Sequence, residues 1–138
     1  MKILVSACLL GENCKYNGGN NYSSAVKTYI GHQEVIPVCP EIQAGYGCPR
    51  IPIEICNGVL MTKDGKNVDT AMRKAIREIL DGIQDEDIGC AILKARSPTC
   101  GVHQIYDGSF SGKLVEGMGL FAQALKDAGY TVLDDEEV

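Results

Sequence analysis

Seven cysteines stand in a chain of 138 residues: Cys8, Cys14, Cys39, Cys48, Cys56, Cys90 and Cys100. An odd number of thiols without a secretion signal argues against a disulfide framework and for thiols kept reduced, where grouped cysteines point to metal or redox chemistry. The plainer use of a cysteine is as a small buried hydrophobe. Cys56 and Cys90, each inside an apolar strand-like run, fit that use. Cys8, Cys39 and Cys100 differ, because each comes shortly after such a run, where the chain turns to loop. Pro40 and Pro98 stiffen the backbone beside two of them, and Gly11 and Gly101 let it curl round a bulky group. Backbone N–H groups in such loops can also donate to the sulfides of a cluster. Cys14 and Cys48 lie in loops near Cys8 and Cys39. Their spacings, C-x5-C and C-x8-C, match neither a zinc ribbon nor a ferredoxin run, and either stays open as a fourth ligand. His32 and His103 read as surface or structural residues, His103 being the one near a candidate ligand.

The elements that must carry these thiols follow from pattern. Lys2–Ser6 and Glu34–Val38 read as strands, and Ile88–Leu93 as a parallel strand covered on both faces. Ser23 or Ser24 caps a helix running through Val26 and Ile30 to Gly31. Pro40 to Pro52, rich in Gly and Pro, reads as an ordered loop. Glu54 to Thr62 reads as a strand pair turning at Asn57-Gly58. Met72, Ile76, Ile79, Leu80 and Ile83 mark one face of a helix starting near Asp69, with Lys74–Glu78 and Arg77–Asp81 spaced for ion pairs on its wet side. Tyr106 to Phe110 is a hairpin turn. Leu120, Phe121, Ala124, Leu125 and Ala128 form a last helix stopped by Gly129, Tyr130 to Leu133 a last strand, and Asp134 to Glu137 a frayed acidic tail. This alternation predicts one domain over residues 1–138, a Rossmann-like three-layer α/β fold with a mainly parallel sheet and a β-hairpin insertion. Ligands of such sheets bind beyond the carboxyl ends of the strands. Cys8, Cys39 and Cys100, each following a strand, are therefore expected to meet in one crevice.

Composition narrows the partners. The chain is 45% apolar and 22% charged, enough for a real core. A net charge of -5 argues against nucleic acid, which needs clustered Lys and Arg. No run approaches the roughly twenty apolar residues of a membrane span. Val5-Ser6-Ala7-Cys8 has the look of a lipoprotein box, but the apolar stretch before it is shorter than the roughly 7–15 residues of a signal. The expected place is the cytoplasm.

Ser6-Ala7-Cys8-Leu9-Leu10-Gly11, Val38-Cys39-Pro40-Glu41, Lys94-Ala95-Arg96-Ser97-Pro98-Thr99-Cys100-Gly101 and Asp107-Gly108-Ser109-Phe110 resemble, in order, the motifs of the short bacterial and archaeal family that includes thiouracil desulfurase. The resemblance runs from Lys2 to about Val132. It implies a 4Fe–4S cluster held by Cys8, Cys39 and Cys100, with one iron free of protein ligands and acting as a Lewis acid. It also implies roles beside that iron for Glu41 and Ser97, and the non-redox removal of sulfur from a thiolated pyrimidine. Thr99 stands where the family usually has serine, Gly117-Met118-Gly119 lacks an acidic middle residue, and Asn17 replaces an aspartate.

The residues agree with that chemistry. Three protein ligands leave a metal corner open, as catalytic sites do, and a thiocarbonyl sulfur is soft enough to suit iron. Glu41, two residues after a ligand, is placed to take a proton from water, and Ser97, three before another, to relay a proton or orient the ring. Against this stand a non-catalytic cluster carrier completed by Cys14 or Cys48, and a zinc-stabilised binding module using cysteines and His103. Glu41 could also be a loop carboxylate paired with Arg50 or Lys94, and Ser97 a turn residue.

Overall fold

The computed structural model describes residues 1–138. Four parallel strands form the central sheet: β1 (Lys2–Ser6), β2 (Glu34–Val38), β5 (Ile88–Leu93) and β8 (Val132–Asp134), in the order β2-β1-β5-β8. Alternation along the strands sorts their side chains to two faces. Leu4, Ala91 and Leu93 pack with Met72, Ile76, Phe121 and Leu125 of helices α3 (Asp69–Ile83) and α4 (Leu120–Asp127). Ile3, Val5 and Ile92 face the other way, onto Val26 and Ile30 of α1 (Ser24–Ile30) and onto Leu9 of a 3-10 turn at Ala7–Leu10. This is the three-layer α/β arrangement expected from the sequence. Two antiparallel hairpins lie outside the sheet: β3 (Ile53–Cys56) with β4 (Val59–Thr62), and β6 (Gln104–Tyr106) with β7 (Leu114–Glu116).

The local signals act as anticipated in most places. Ser23 Oγ accepts from the Val26 N–H at 3.2 Å and caps α1. Asn57 and Gly58, at φ 50° and 79°, make the left-handed pair that a two-residue hairpin loop needs. Four expectations need correction. Pro40 opens a short helix, α2 (Pro40–Gln43), with Cys39 as its cap residue; proline's fixed φ suits a first helical position, and one turn is too short to show a period. On α3 the ion pair formed is Arg73–Asp69, not either pair on the wet side. The first half of β5 is not covered on both faces: Gly89 is exposed, and Cys90 is half-buried where it packs against the core on the α1 side.

The acidic tail is not frayed. Asp134 is buried, Asp135 Oδ1 accepts from the Ala95 N–H at 2.7 Å, and Glu136 and Glu137 pair with Arg96 and His103. These partners lie 34 or 40 residues away, beyond the reach of any local pattern.

Helix α4 anchors the loop that carries Cys100. No side chain caps it. Its first N–H groups are instead taken by carbonyls of the loop after β5: Leu120 N–H by Pro98, and Phe121 and Ala122 N–H by Thr99, at 2.8–3.1 Å. Contact is so close that a Cβ on Gly119 would lie 2.4 Å from the carbonyl carbon of Thr99. Gly119→Ala should therefore cost about 1–3 kcal/mol, as overpacking does, whereas Gly82→Ala, in open space on α3, should stabilise by about 0.5–1 kcal/mol. Urea denaturation of both variants checks this; equal midpoints would contradict the packing described.

Candidate metal centre at the carboxyl ends of the sheet

Strand β1 pairs with β2 on one side, Ser6 opposite Val38, and with β5 on the other, Val5 opposite Ile92. The carboxyl ends of all three strands are thus level. The chain leaves β1 for one neighbour and returns to the sheet on its other side, which makes the β1–β5 boundary a switch point where loops diverge and a crevice opens. The Lys94 N–H donates to Ser6 Oγ at 3.0 Å and ties the two loop origins together.

A cavity of about 550 Å³ opens there, with Cys8, Cys39 and Cys100 on its wall together with Glu41 and Ser97. All five residues singled out in the sequence are brought together. Cys14 also lines the cavity. Cys48 does not line it; exposed, it donates to the Asn13 carbonyl at 2.9 Å. Cys56 lies against Gly108, its Sγ 3.2 Å from that carbonyl. His103 is turned to the C-terminal segment, where it meets Glu137 at 2.7 Å.

The loop that carries Cys100 is wound around one hydroxyl. Ser97 Oγ accepts from the N–H groups of Thr99 and Cys100 at 3.2 and 3.1 Å, and Gly101 N–H closes the turn on the Ser97 carbonyl. A Cβ on Gly101 would lie 2.7 Å from two carbonyl oxygens, so only glycine fits there. On the facing loop, Glu41 sits on the single turn α2, its Oε2 3.7 Å from Cys39 Sγ and its Oε1 accepting from Thr99 Oγ1 at 3.0 Å. Glu41 is buried. Neither Arg50 nor Lys94 pairs with it, since Lys94 meets Asp135 instead.

Burial keeps the cavity thiols protonated in the metal-free protein. Burial, and then the Glu41 charge, push the Cys100 thiol up to about 12 and raise Cys39 further. Burial also raises Cys8, although Asn21 Nδ2, 3.4 Å from its sulfur, opposes the shift. Thiols of this kind hold their protons until a thiophilic metal displaces them on binding. Lys15, Arg50, Lys63, Lys94 and Arg96 line the same cavity with two carboxylates, Glu41 and Glu54; Lys94 and Arg96 are already paired with Asp135 and Glu136.

Spacing separates one ion from several. The one set of three His, Cys, Asp or Glu donors within 4.8 Å of one another is His103, Asp134 and Glu137. The cavity thiols are spread more widely than the roughly 3.8 Å that tetrahedral zinc–sulfur bonds impose between sulfurs. That spread does not fit a single tetrahedral ion held by all three.

Sequence reading missed Thr99 as a link and Glu54 as a wall residue. Glu54 Oε1 accepts from the N–H groups of Gly108 and Phe110 at 3.0 and 3.2 Å, holding the turn of the second hairpin against the first. The Asp107-Gly108-Ser109-Phe110 segment was the only available signal for that contact.

Fold and site together define an α/β protein with a cysteine-lined crevice at a parallel-sheet switch point. A family model described as 2-thiouracil desulfurase matches residues 3–137, and the chain belongs to that family. It is 34% identical to the uncharacterized protein YbbK of Bacillus subtilis (strain 168), over 99% of this chain and 97% of the relative. Among solved structures it resembles the [4Fe-4S]-dependent thiouracil desulfidase TudS (DUF523Vcz), with a TM-score of 0.91 and 30% identity over 99% of this chain and 92% of that one. No helix is long and apolar enough to cross a membrane.

Burial orders the reactivity of the thiols in metal-free protein. Iodoacetamide at pH 8 should modify exposed Cys48 before Cys100, and labelling of Cys100 should grow as pH rises toward 12 and its thiolate forms. Peptide mass spectrometry reads the order, and early loss of Cys100 would contradict its burial.

Proposed function

We propose that this chain is a cytoplasmic, iron–sulfur-dependent desulfidase that converts a thiolated pyrimidine such as 2-thiouracil to the oxo base, with release of hydrosulfide and without net oxidation or reduction. The observation that carries this reading is the convergence of Cys8, Cys39 and Cys100 on one cavity wall together with Glu41 and Ser97. The family and the likeness to TudS support it.

Cys8, Cys39 and Cys100 would hold a 4Fe–4S cluster, which when bound supplies an iron without a protein ligand as a Lewis acid for the substrate's sulfur. The chain's own residues do the rest. Loops from three strands and the turn β6–β7 enclose a space suited to a small planar base. The Glu41 carboxylate accepts a proton from water as the water oxygen adds to the ring carbon. The carbon–sulfur bond then breaks, and sulfur leaves as hydrosulfide with the second water proton. Ser97 braces the Cys100 loop, its hydroxyl accepting from the Thr99 and Cys100 N–H groups, and so fixes the part of the cavity wall on which Cys100 stands. Cys14, which also lines the cavity, is left outside the ligand set in this reading.

Anaerobically purified protein should carry about four irons and matching sulfide, and should release sulfide from 2-thiouracil. Cys8→Ala, Cys39→Ala and Cys100→Ala should each lose most of the iron, and Cys14→Ala should keep it. Glu41→Gln should keep the iron but slow sulfide release by about 10²–10⁴-fold, the usual worth of a general base. Stoichiometric zinc with no iron after reconstitution would sink the proposal. Iron loss from Cys14→Ala equal to that from Cys8→Ala would instead indicate closed, four-cysteine ligation.

A further inference from the structure

Thr99 is fully buried, and its hydroxyl lies between two residues with proposed chemical roles, 3.1 Å from Ser97 Oγ and 3.0 Å from Glu41 Oε1. Hydrogen-bonding capacity fixes the direction of this chain. A serine hydroxyl has one proton and two lone pairs. Both lone pairs of Ser97 Oγ are taken by the N–H groups of Thr99 and Cys100, so its proton goes to Thr99 Oγ1. Thr99 has one proton in turn. Cys100 Sγ lies 3.7 Å away and Glu41 Oε1 nearer, and the charged oxygen is the stronger acceptor. The order is Ser97 to Thr99 to Glu41.

Two further constraints keep the link in place. The Thr99 carbonyl receives the Phe121 and Ala122 N–H groups, so α4 clamps its backbone. A β-branched side chain also has restricted χ1 freedom. The hydroxyl therefore has little room to drift, and the Glu41 carboxylate is fixed at one oxygen by Thr99 while the other stays near Cys39.

We propose that Thr99 is a positioning residue: its hydroxyl accepts the hydrogen bond of Ser97 and donates its own to Glu41, which fixes the Glu41 carboxylate beside the cavity. The catalytic part of this inference rests on the desulfidase reading; the geometric part does not. Threonine serves this purpose better than serine, because its methyl group holds the hydroxyl to one rotamer.

The test compares iron-loaded full-length wild type, Thr99→Val and Thr99→Ser by steady-state sulfide release from 2-thiouracil, iron content, thermal midpoint and crystal structure. Valine keeps the shape and removes the hydroxyl. Thr99→Val should keep its iron and KM but lose about 10–100-fold in kcat, as expected for one hydrogen bond to a charged group. Thr99→Ser should regain most of that loss, a recovery that a purely packing role would not produce. In the crystal, the Glu41 carboxylate should leave its place in Thr99→Val and hold it in Thr99→Ser. Wild-type kcat in Thr99→Val, equal loss in both variants, or iron loss in Thr99→Val would overturn the proposal. If loaded wild type releases no sulfide, the desulfidase reading fails, and the position of Glu41 in the two variant structures still decides the role of Thr99.

Discussion

The pairing of β1 with both its neighbours is the constraint on which the site depends. Parallel hydrogen bonding in this register brings the ends of β1, β2 and β5 to one level, so three segments far apart in sequence leave the sheet at the same edge. A slip of one residue would turn the core face of a strand outward. Leu4, between Ala91 and Ile36, and Val5, between Ile92 and Pro37, would then exchange the α3–α4 layer for the α1 layer. The hydrophobic pattern that builds the core is therefore the same pattern that places the thiols.

Beyond the strand ends, precision comes from backbone groups finding one another. The N-terminal turn of α4 would have unsatisfied N–H groups without a capping side chain, and the Pro98 and Thr99 carbonyls supply the acceptors. Ser97 Oγ satisfies two more N–H groups within the same loop. Cys100 is thus held by helix, turn and strand together, which fixes its place on the cavity wall.

Much of this was legible in the sequence. The apolar runs of β1, β2 and β5 and the helical face of α3 carry their period openly, and with them the rule that ligands gather at carboxyl ends. That rule alone directs attention to Cys8, Cys39 and Cys100, and the motif resemblance adds Glu41 and Ser97. The features that escaped were non-local or very short. The single turn of α2 has no period, and the three-residue strands of β6 and β7 have almost none. The bonds from Glu54 to Gly108 and from Thr99 to Glu41 span 54 and 58 residues, and the acidic tail finds partners 34 and 40 residues back. Thr99 drew notice only as a departure from serine, and its hydroxyl gained meaning once the facing loop was in view.

The cavity wall divides into two parts of different origin. Thiols, carboxylate and serine ride on loops rooted in the central sheet, whereas Ile53, Glu54, Tyr106, Phe110 and Gly112 line the cavity from two hairpins joined to each other through Glu54. Lengthening or trimming a hairpin would reshape the doorway while the thiol cradle behind it stayed intact. A lineage built this way can try new guests cheaply, since the hairpins that shape one side of the cavity are not the segments that carry the thiols.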